Sequence, residues 1–382
     1  MKIAYIYSEI SIKGGADKVL TQKANYLATH GYDVLIITEA QMGRPLSFSI
    51  VPSVRHIDMG LDFNKQYTQG VLRRVYTYFS LMRKYRIRLK RILEQEKPDI
   101  VITTMGRSLD FIASLHDGSI KIGEAHTTKE HLRNLHLMEE RGGFYKMVAH
   151  YMHKKMCNNA SKLSALVLLT ERDAESWAGI TKSFIIPNSI VNPPHESSQL
   201  DSKEAIMVGR YNDAKGYDYM VEAWAAVHEK HPDWTLNIYG SGELHDQVKQ
   251  WIEDRHLQST MIMHDPVDNI TEKYMQSSIC VLSSRYEGFS MAILEAMSCG
   301  VPCVSFDCPH GPRTIIRNEE DGLLVEHLNV KALANSICRL IEDETLRKKL
   351  GRNAKQNVKR YSQDEVMGKW DSLFRSLTQR QE

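Results

Sequence analysis

Between Ile279 and Phe306 the chain passes through two short apolar segments, Ile279–Leu282 and Pro302–Phe306. They are separated by a polar loop to Ser290 and a run of helical period, Met291–Met297, which Gly300 and Pro302 close. Two buried strands joined through a helix form the crossover connection that parallel pairing needs. Such units belong to sheets covered by helices, and they place the loop Ser283–Ser290 at the carboxyl end of its strand, where these sheets bind ligands. The alternation recurs along the chain. Lys2–Tyr7, Asp33–Thr38, Pro98–Thr104 and Ser164–Thr170 read as strands of one set, with Ile120–Thr128 a strand ending in a polar turn, and Ala205–Gly209, Gly322–Val325 and the strand that enters the G-x-G turn of Leu236–Gly242 form another. Between the sets, Phe184–Pro194 holds three prolines and a fading apolar pattern, and it reads as a linker. A chain of 382 residues also favours two domains. The expected division is 1–186, 187–362 and a closing segment 363–382, with helical runs at 330–342, 345–360 and 363–378.

The loop and helix at the centre carry two carboxylates, Glu287 and Glu295. With most of the interval helical, they lie roughly 12 Å apart along the axis. That is the span from hexose to ribose in a nucleotide-diphosphate sugar. A carboxylate accepts from both its oxygens and can grip vicinal hydroxyls. The free N–H groups of the helix's first turn, near Ser290 and Met291, would face the diphosphate between them. In isolation, a pair of glutamates at this spacing also fits a charge before a helix and a solvated helix face.

The flanking residues narrow the choice. Glu287–Ser305, EGFSMAILEAMSCGVPCVS, resembles the donor signature of the retaining glycosyltransferases of family 4, which have the GT-B fold. Matching segments run from residue 1 to about 365 in the family's order. The resemblance implies two doubly wound Rossmann-like α/β domains facing across a cleft, the first for the acceptor and the second for the nucleotide sugar. It implies that Glu287, Gly288, Phe289, Ser290, Met291 and Glu295 line the donor site, with Glu287 on the hexose and Glu295 on the ribose. VGRYNDAKGYD, from Val208, is similar to the second donor signature, in which Gly209 approaches the ligand while Arg210 and Lys215 neutralise the diphosphate. Fixed cations there would stabilise the leaving group as a metal does elsewhere.

By the same resemblance, Gly240 and Gly242 of LNIYGSG approach the nucleotide. Met261–Asn269, including Val267, is the loop that holds the base, with Asp265 in place of the usual glycine. Gly14 and Gly15, before a helical run through Val19, Leu20, Ala24 and Leu27, face the phosphates. The first βα turn lacks the G-x-G-x-x-G pattern, which argues against a dinucleotide site. His126, at the end of a first-set strand with Glu124, is implied to meet the hexose near its reacting carbon. His131, Arg133, Asn134 and His136 beyond it either meet the acceptor or face water. Ser189 stands where the family's linker has glycine. The turn Asp307–Ile316 leans towards galactose-type or N-acetylhexosamine sugars. The final helix is implied to return to the first domain through Trp370 and Phe374.

No D-x-D dyad occurs, so no catalytic metal or resident cofactor is expected; the nucleotide sugar is a co-substrate. A net charge of +2 argues against a dedicated nucleic-acid partner. Six cysteines without a C-x-x-C pair read as packed, reduced thiols, which points to the cytoplasm. Val71–Arg91 holds eight Lys or Arg and no acid, with Val75, Tyr78, Leu81, Met82, Tyr85 and Leu89 at helical spacing. That helix either lies on an anionic membrane surface or presents a solvated basic face. The expected activity is metal-independent, retaining transfer from a UDP-type sugar to a glycan or lipid-linked glycan. A non-catalytic nucleotide-sugar binding protein is the second reading, and an epimerase or phosphorylase fits the motifs badly.

Overall fold

A computed structural model describes residues 1–11, 14–68 and 70–379, with side chains for all of these except 67, 68 and 71. The chain divides into two compact units, Met1–Ile186 with Met367–Glu382, and Pro187–Val366.

The first unit holds seven strands: β1 (Lys2–Tyr7), β2 (Asp33–Thr38), β3 (Arg55–Asp58), β4 (Ile100–Thr103), β5 (Ile120–Glu124), β6 (Ala165–Leu168) and β7 (Ser183–Ile185). All pair in parallel, in the order β3-β2-β1-β4-β5-β6-β7. The central strands are buried almost end to end, as continuous apolar runs between two helical layers must be. The long helices of this unit include α1 (Gly15–Thr29), α2 (Val71–Glu96) and α3 (Gly143–Ala160). Tyr85, Leu89 and Leu93 of α2 and Met156 and Ala160 of α3 enter one hydrophobic cluster with Leu35, Val101 and Leu166 of the sheet. Both helices therefore cover the same face.

The second unit holds β8 (Glu204–Val208), β9 (Thr235–Tyr239), β10 (Met261–His264), β11 (Ile279–Leu282), β12 (Cys303–Phe306) and β13 (Gly322–Val325). They too pair in parallel, in the order β10-β9-β8-β11-β12-β13. Helix α4 (Tyr217–Lys230) buries Met220, Val221, Trp224 and Val227 against this sheet. Helix α5 (Met291–Ser298) follows β11 and is apolar on nearly every side, as an interior helix is. Helix α6 (Gln363–Thr378) begins in the second unit, and from Met367 onward it packs in the first. There Trp370 and Phe374 are 2% and 0% exposed, and Phe374 meets the Tyr32 ring edge-on at 6.0 Å.

Two expected boundaries change, and one strand is added. Phe184 and Ile185 belong to edge strand β7 rather than to the linker. Met261–His264 is strand β10, so only the residues after it form the expected base loop. β3 has no apolar run to announce it, because an edge strand of sequence RHID is exposed or half-buried throughout.

Candidate functional site

The second sheet reverses its strand order between β8 and β11, which opens a crevice at the carboxyl ends of those strands. Two loops meet there, residues 209–216 after β8 and 283–290 after β11. The hydroxyl of Ser283 donates to the carbonyls of Lys215 at 3.1 Å and Gly216 at 2.8 Å. The Arg285 amide donates to the Ala214 carbonyl at 2.8 Å, and its guanidinium grips Asp218 with bonds of 3.0 and 2.7 Å. Gly216 adopts φ +59°, and a Cβ there would lie 2.2 Å from the Ser283 carbonyl oxygen. Only glycine permits that approach.

This lacing brings Lys215 to Glu287. Its ammonium sits 2.5 Å from Glu287 Oε1, with side chains 20% and 11% exposed. Ser284 Oγ donates to the same oxygen at 2.8 Å. The lysine aliphatic chain lies over Gly209, where a Cβ would meet it at 3.2–3.3 Å. So Lys215, Gly209 and Glu287 form one cluster, and the cation arrives already paired with a carboxylate. Arg210, just beyond β8, is exposed.

Beside the cluster, α5 begins at Met291 without a side-chain cap at Ser290. Ser290 is 2% exposed, and its hydroxyl has no hydrogen-bond partner among the described residues. Unsatisfied first-turn N–H groups and an orphaned hydroxyl together make a donor-rich corner for anionic oxygens. Phe289 turns inward, 6% exposed and 5.4 Å from the Tyr361 ring, so it offers a ligand only its backbone. Glu295 lies on the second turn of α5. The interval from Glu287 is helical only from Met291, so the axial rise within it is about 6 Å, half the sequence-based figure. The loop supplies the rest.

Gly240 and Gly242 have a structural reason of their own. A Cβ on Gly240 would fall 1.9 Å from the Gly209 carbonyl oxygen, and one on Gly242 would fall 2.4 Å from the Tyr211 carbonyl oxygen. These glycines let the protein's own loops touch, which holds Gly209 and Lys215 in place. Val267, on the loop after β10, is 36% exposed.

In the first unit, Gly14 precedes α1 in extended conformation and Gly15 opens the helix. His126 follows the end of β5, with Nε2 3.4 Å from Glu124 Oε1 and a side chain 14% exposed. Burial pushes its pKa down, Glu124 pulls it up and Lys23 lowers it again, so the ring is neutral at pH 7. Lys23, on α1, donates to Glu124, and both are buried. Sequence reading missed Lys23, although its position four residues from both Val19 and Leu27 on the apolar stripe of α1 was the available signal. Arg133 binds Asp110 at 2.8 Å and the Met105 carbonyl at 3.2 Å, which ties it into the fold.

Residues 191–357 match the family described as glycosyl transferases group 1. An exopolysaccharide phosphotransferase of Streptomyces coelicolor is 30% identical over 304 residues, covering 78% of this chain and 30% of that protein. The chain thus spans under a third of that relative. An uncharacterized glycosyltransferase of Haemophilus influenzae is 24% identical over 379 residues, covering 98% of this chain and 99% of that one. Staphylococcus aureus TarM, solved as a point mutant with fondaparinux, α-GlcNAc-glycerol and UDP, superimposes with a TM-score of 0.78 at 17% identity. It covers 98% of this chain and 99% of that one.

Proposed function

We propose that this chain of GT-B fold, with its group 1 glycosyltransferase match at residues 191–357, transfers a hexose or N-acetylhexosamine with retention. The donor would be a UDP-sugar, and the acceptor a glycan or lipid-linked glycan. The observation that carries this reading is the Lys215–Glu287–Ser284 cluster beside the uncapped start of α5. A cation, a carboxylate and a row of free amides are what a diphosphate joined to a polyol requires. UDP bound in TarM supports the choice of base. The transferase names borne by relatives favour an enzyme over a passive binder of nucleotide sugars.

In this reading Glu287 aims Lys215 at the diphosphate and accepts from hexose hydroxyls, Glu295 accepts from the ribose diol, and His126 has the role of meeting the hexose near its reacting carbon. The acceptor oxygen bonds to the anomeric carbon as the bond from that carbon to the phosphate oxygen breaks. The electron pair leaves with the nucleoside diphosphate. The acceptor's proton passes to the departing phosphate oxygen on the same face, so the configuration is kept. Lys215, Arg210 and the α5 amides meet the charge that grows on the leaving group. The reading needs neither a metal nor a resident cofactor. Its test is transfer from UDP-glucose, UDP-galactose and their N-acetylamino forms, with and without EDTA, and NMR of the first-formed anomer. Activity lost to EDTA and restored by Mg²⁺ would remove the metal-free step, and an inverted product would remove retention.

The membrane part of the reading rests on α2 and α3 together. Their C-terminal halves are in the core, but their N-terminal halves hold apolar side chains out to solvent. Leu72, Tyr76 and Phe79 are 88%, 76% and 66% exposed, and Phe144, Met147 and Tyr151 are 70%, 62% and 67% exposed. Both N-terminal halves point to the carboxyl edge of the first sheet, since helices in parallel sheets run against the strands. Neither Val71–Arg91 nor α3 contains an acid, and α3 adds three lysines to the eight basic residues of α2. Exposed apolar side chains on helices of net positive charge fit an anionic lipid surface, and like charge opposes pairing with a second copy. Among the described residues no helix is long and apolar enough to cross a membrane. Peripheral attachment at the cytoplasmic face is the form this contact would take.

A further inference from the structure

The first unit contains an ion pair that the transfer reaction as described does not use. Lys23 and Glu124 have side chains 5% and 2% exposed, and the lysine ammonium donates to Glu124 Oε1. That oxygen lies 3.4 Å from His126 Nε2. Glu124 Oε2 and His126 Nε2 have no hydrogen-bond partner among the described residues. The ammonium stands over two rings, 5.1 Å from the centroid of Tyr5 and 4.2 Å from that of Trp370 on α6. Four elements therefore converge on one buried charge pair: β1, α1, the end of β5 and the C-terminal helix.

Stability alone does not account for this arrangement. Taking two charges out of water is costly, and well-packed apolar side chains of similar volume commonly serve a fold as well or better. What the pair has that an apolar replacement lacks is a fixed carboxylate beside an imidazole. Glu124 and His126 are two residues apart at a strand end, so their side chains leave on the same face. A carboxylate charge 3.4 Å from Nε2, even without an aligned hydrogen bond, favours the tautomer with its proton on Nε2. Lys23 offsets the carboxylate's charge, so the ring is oriented without being protonated.

We propose that Lys23 and Glu124 are positioning residues for His126, with Trp370 of the C-terminal helix holding Lys23 in place. The assignment rests on His126 being the residue that meets the sugar. Its own claim, that the pair sets the ring's orientation and tautomer, is separate from that reading.

The experiment compares Lys23→Met, the double variant Lys23→Met/Glu124→Leu and Glu124→Gln with the wild type. The single lysine variant should melt well below wild type, because it strands a buried carboxylate. The double variant should recover most of the lost Tm. Its His126 ring nitrogens, followed by ¹⁵N NMR and assigned with His126→Asn, should nevertheless lose the single Nε2-protonated tautomer. With a UDP-sugar that the wild type turns over, kcat should fall about tenfold to a hundredfold with little change in donor KM. Adding His126→Asn to the double variant should then cost little more. A double variant with wild-type tautomer and wild-type kcat would make the pair purely structural and overturn the proposal. Should the double variant not fold, Glu124→Gln decides: an unchanged tautomer overturns the proposal, and a mixed one supports it. Absence of turnover with any UDP-sugar would count against the transferase reading and leave the NMR result to decide this one.

Discussion

Replacing Gly240 by alanine tests how the second unit holds its cation. The new Cβ would sit 1.9 Å from the Gly209 carbonyl oxygen and 3.0 Å from its carbon. Both neighbours are backbone, so neither can rotate away, and the ends of β8 and β9 must part by about 1 Å to restore van der Waals contact. Two hydrogen bonds cross this seam: Gly209 N to Tyr239 O at 3.1 Å and Tyr211 N to Ser241 O at 3.0 Å. A further ångström takes each out of bonding range. At about 1 kcal/mol net for each bond, the loss is about 2 kcal/mol. For a unit of this size that lowers Tm by roughly 4–8 °C. The same displacement moves Gly209, against which the Lys215 chain lies, so UDP affinity should fall by about tenfold or more. Urea melts and titration calorimetry measure the two effects. Gly106→Ala is the control, since a Cβ there meets nothing within 4 Å and its φ of −75° is ordinary. If Gly240→Ala and Gly106→Ala lie within about 0.5 kcal/mol of each other, backbone contact is not what the glycine provides.

Calorimetry with UDP and with a UDP-sugar should separate the two carboxylates: Glu295→Ala weakens both ligands, while Glu287→Ala weakens the sugar nucleotide and spares or strengthens UDP by releasing Lys215. Equal losses across all four titrations would end that division of labour. Burial raises the Asp173 carboxyl to about 6, helped by Glu130 and opposed by the Lys129 amide. The folded chain then holds its proton longer than the unfolded chain, whose value is about 3.9, so stability on the order of 3 kcal/mol is lost as the pH rises from 4 through 6. Asp173→Asn should therefore outlast wild type in urea at pH 7 and match it at pH 4, and a constant difference would contradict the assignment. Wild type should sediment with phosphatidylglycerol vesicles at low salt and less so at high salt, and Leu72→Ser/Phe79→Ser or Phe144→Ser/Met147→Ser should reduce it. Binding that ignores both pairs of substitutions, or that is absent in wild type, removes the lipid surface.

The sheets were legible because strands buried on both faces must be continuous apolar runs, and ICVL, DVLIIT and ALVL have few other ways to fold. Two edge strands, β3 and β7, escaped notice for the opposite reason, since RHID and SFI are exposed or half-buried throughout. The pairing partner of Glu287 was not legible, because the Lys215 contact spans 72 positions and depends on Ser283 and Gly216 bridging two loops. Lys23 was passed over because lysine on a helix reads as solvated, although its neighbours on the stripe are buried. Phe144, Met147 and Tyr151 show that an apolar helical face can also stay exposed. Spacing alone gives a helix an apolar face, and whether that face is covered depends on how far the helix runs beyond its sheet.

The return of α6 to the first unit has a consequence for how the protein is made. Residues near the start of the chain supply Tyr5 and Lys23, yet the ring over that lysine comes from position 370. During synthesis, at roughly 5–20 residues per second, the first unit's strands can pair long before Met367 has left the ribosome. Until then the Lys23 ammonium lies open on the side that Trp370 will cover, and the apolar patch around Tyr32 awaits Phe374. The half that emerges first is therefore the half completed last. A released chain truncated after Val366 should hold a folded second unit beside a first unit still sensitive to protease.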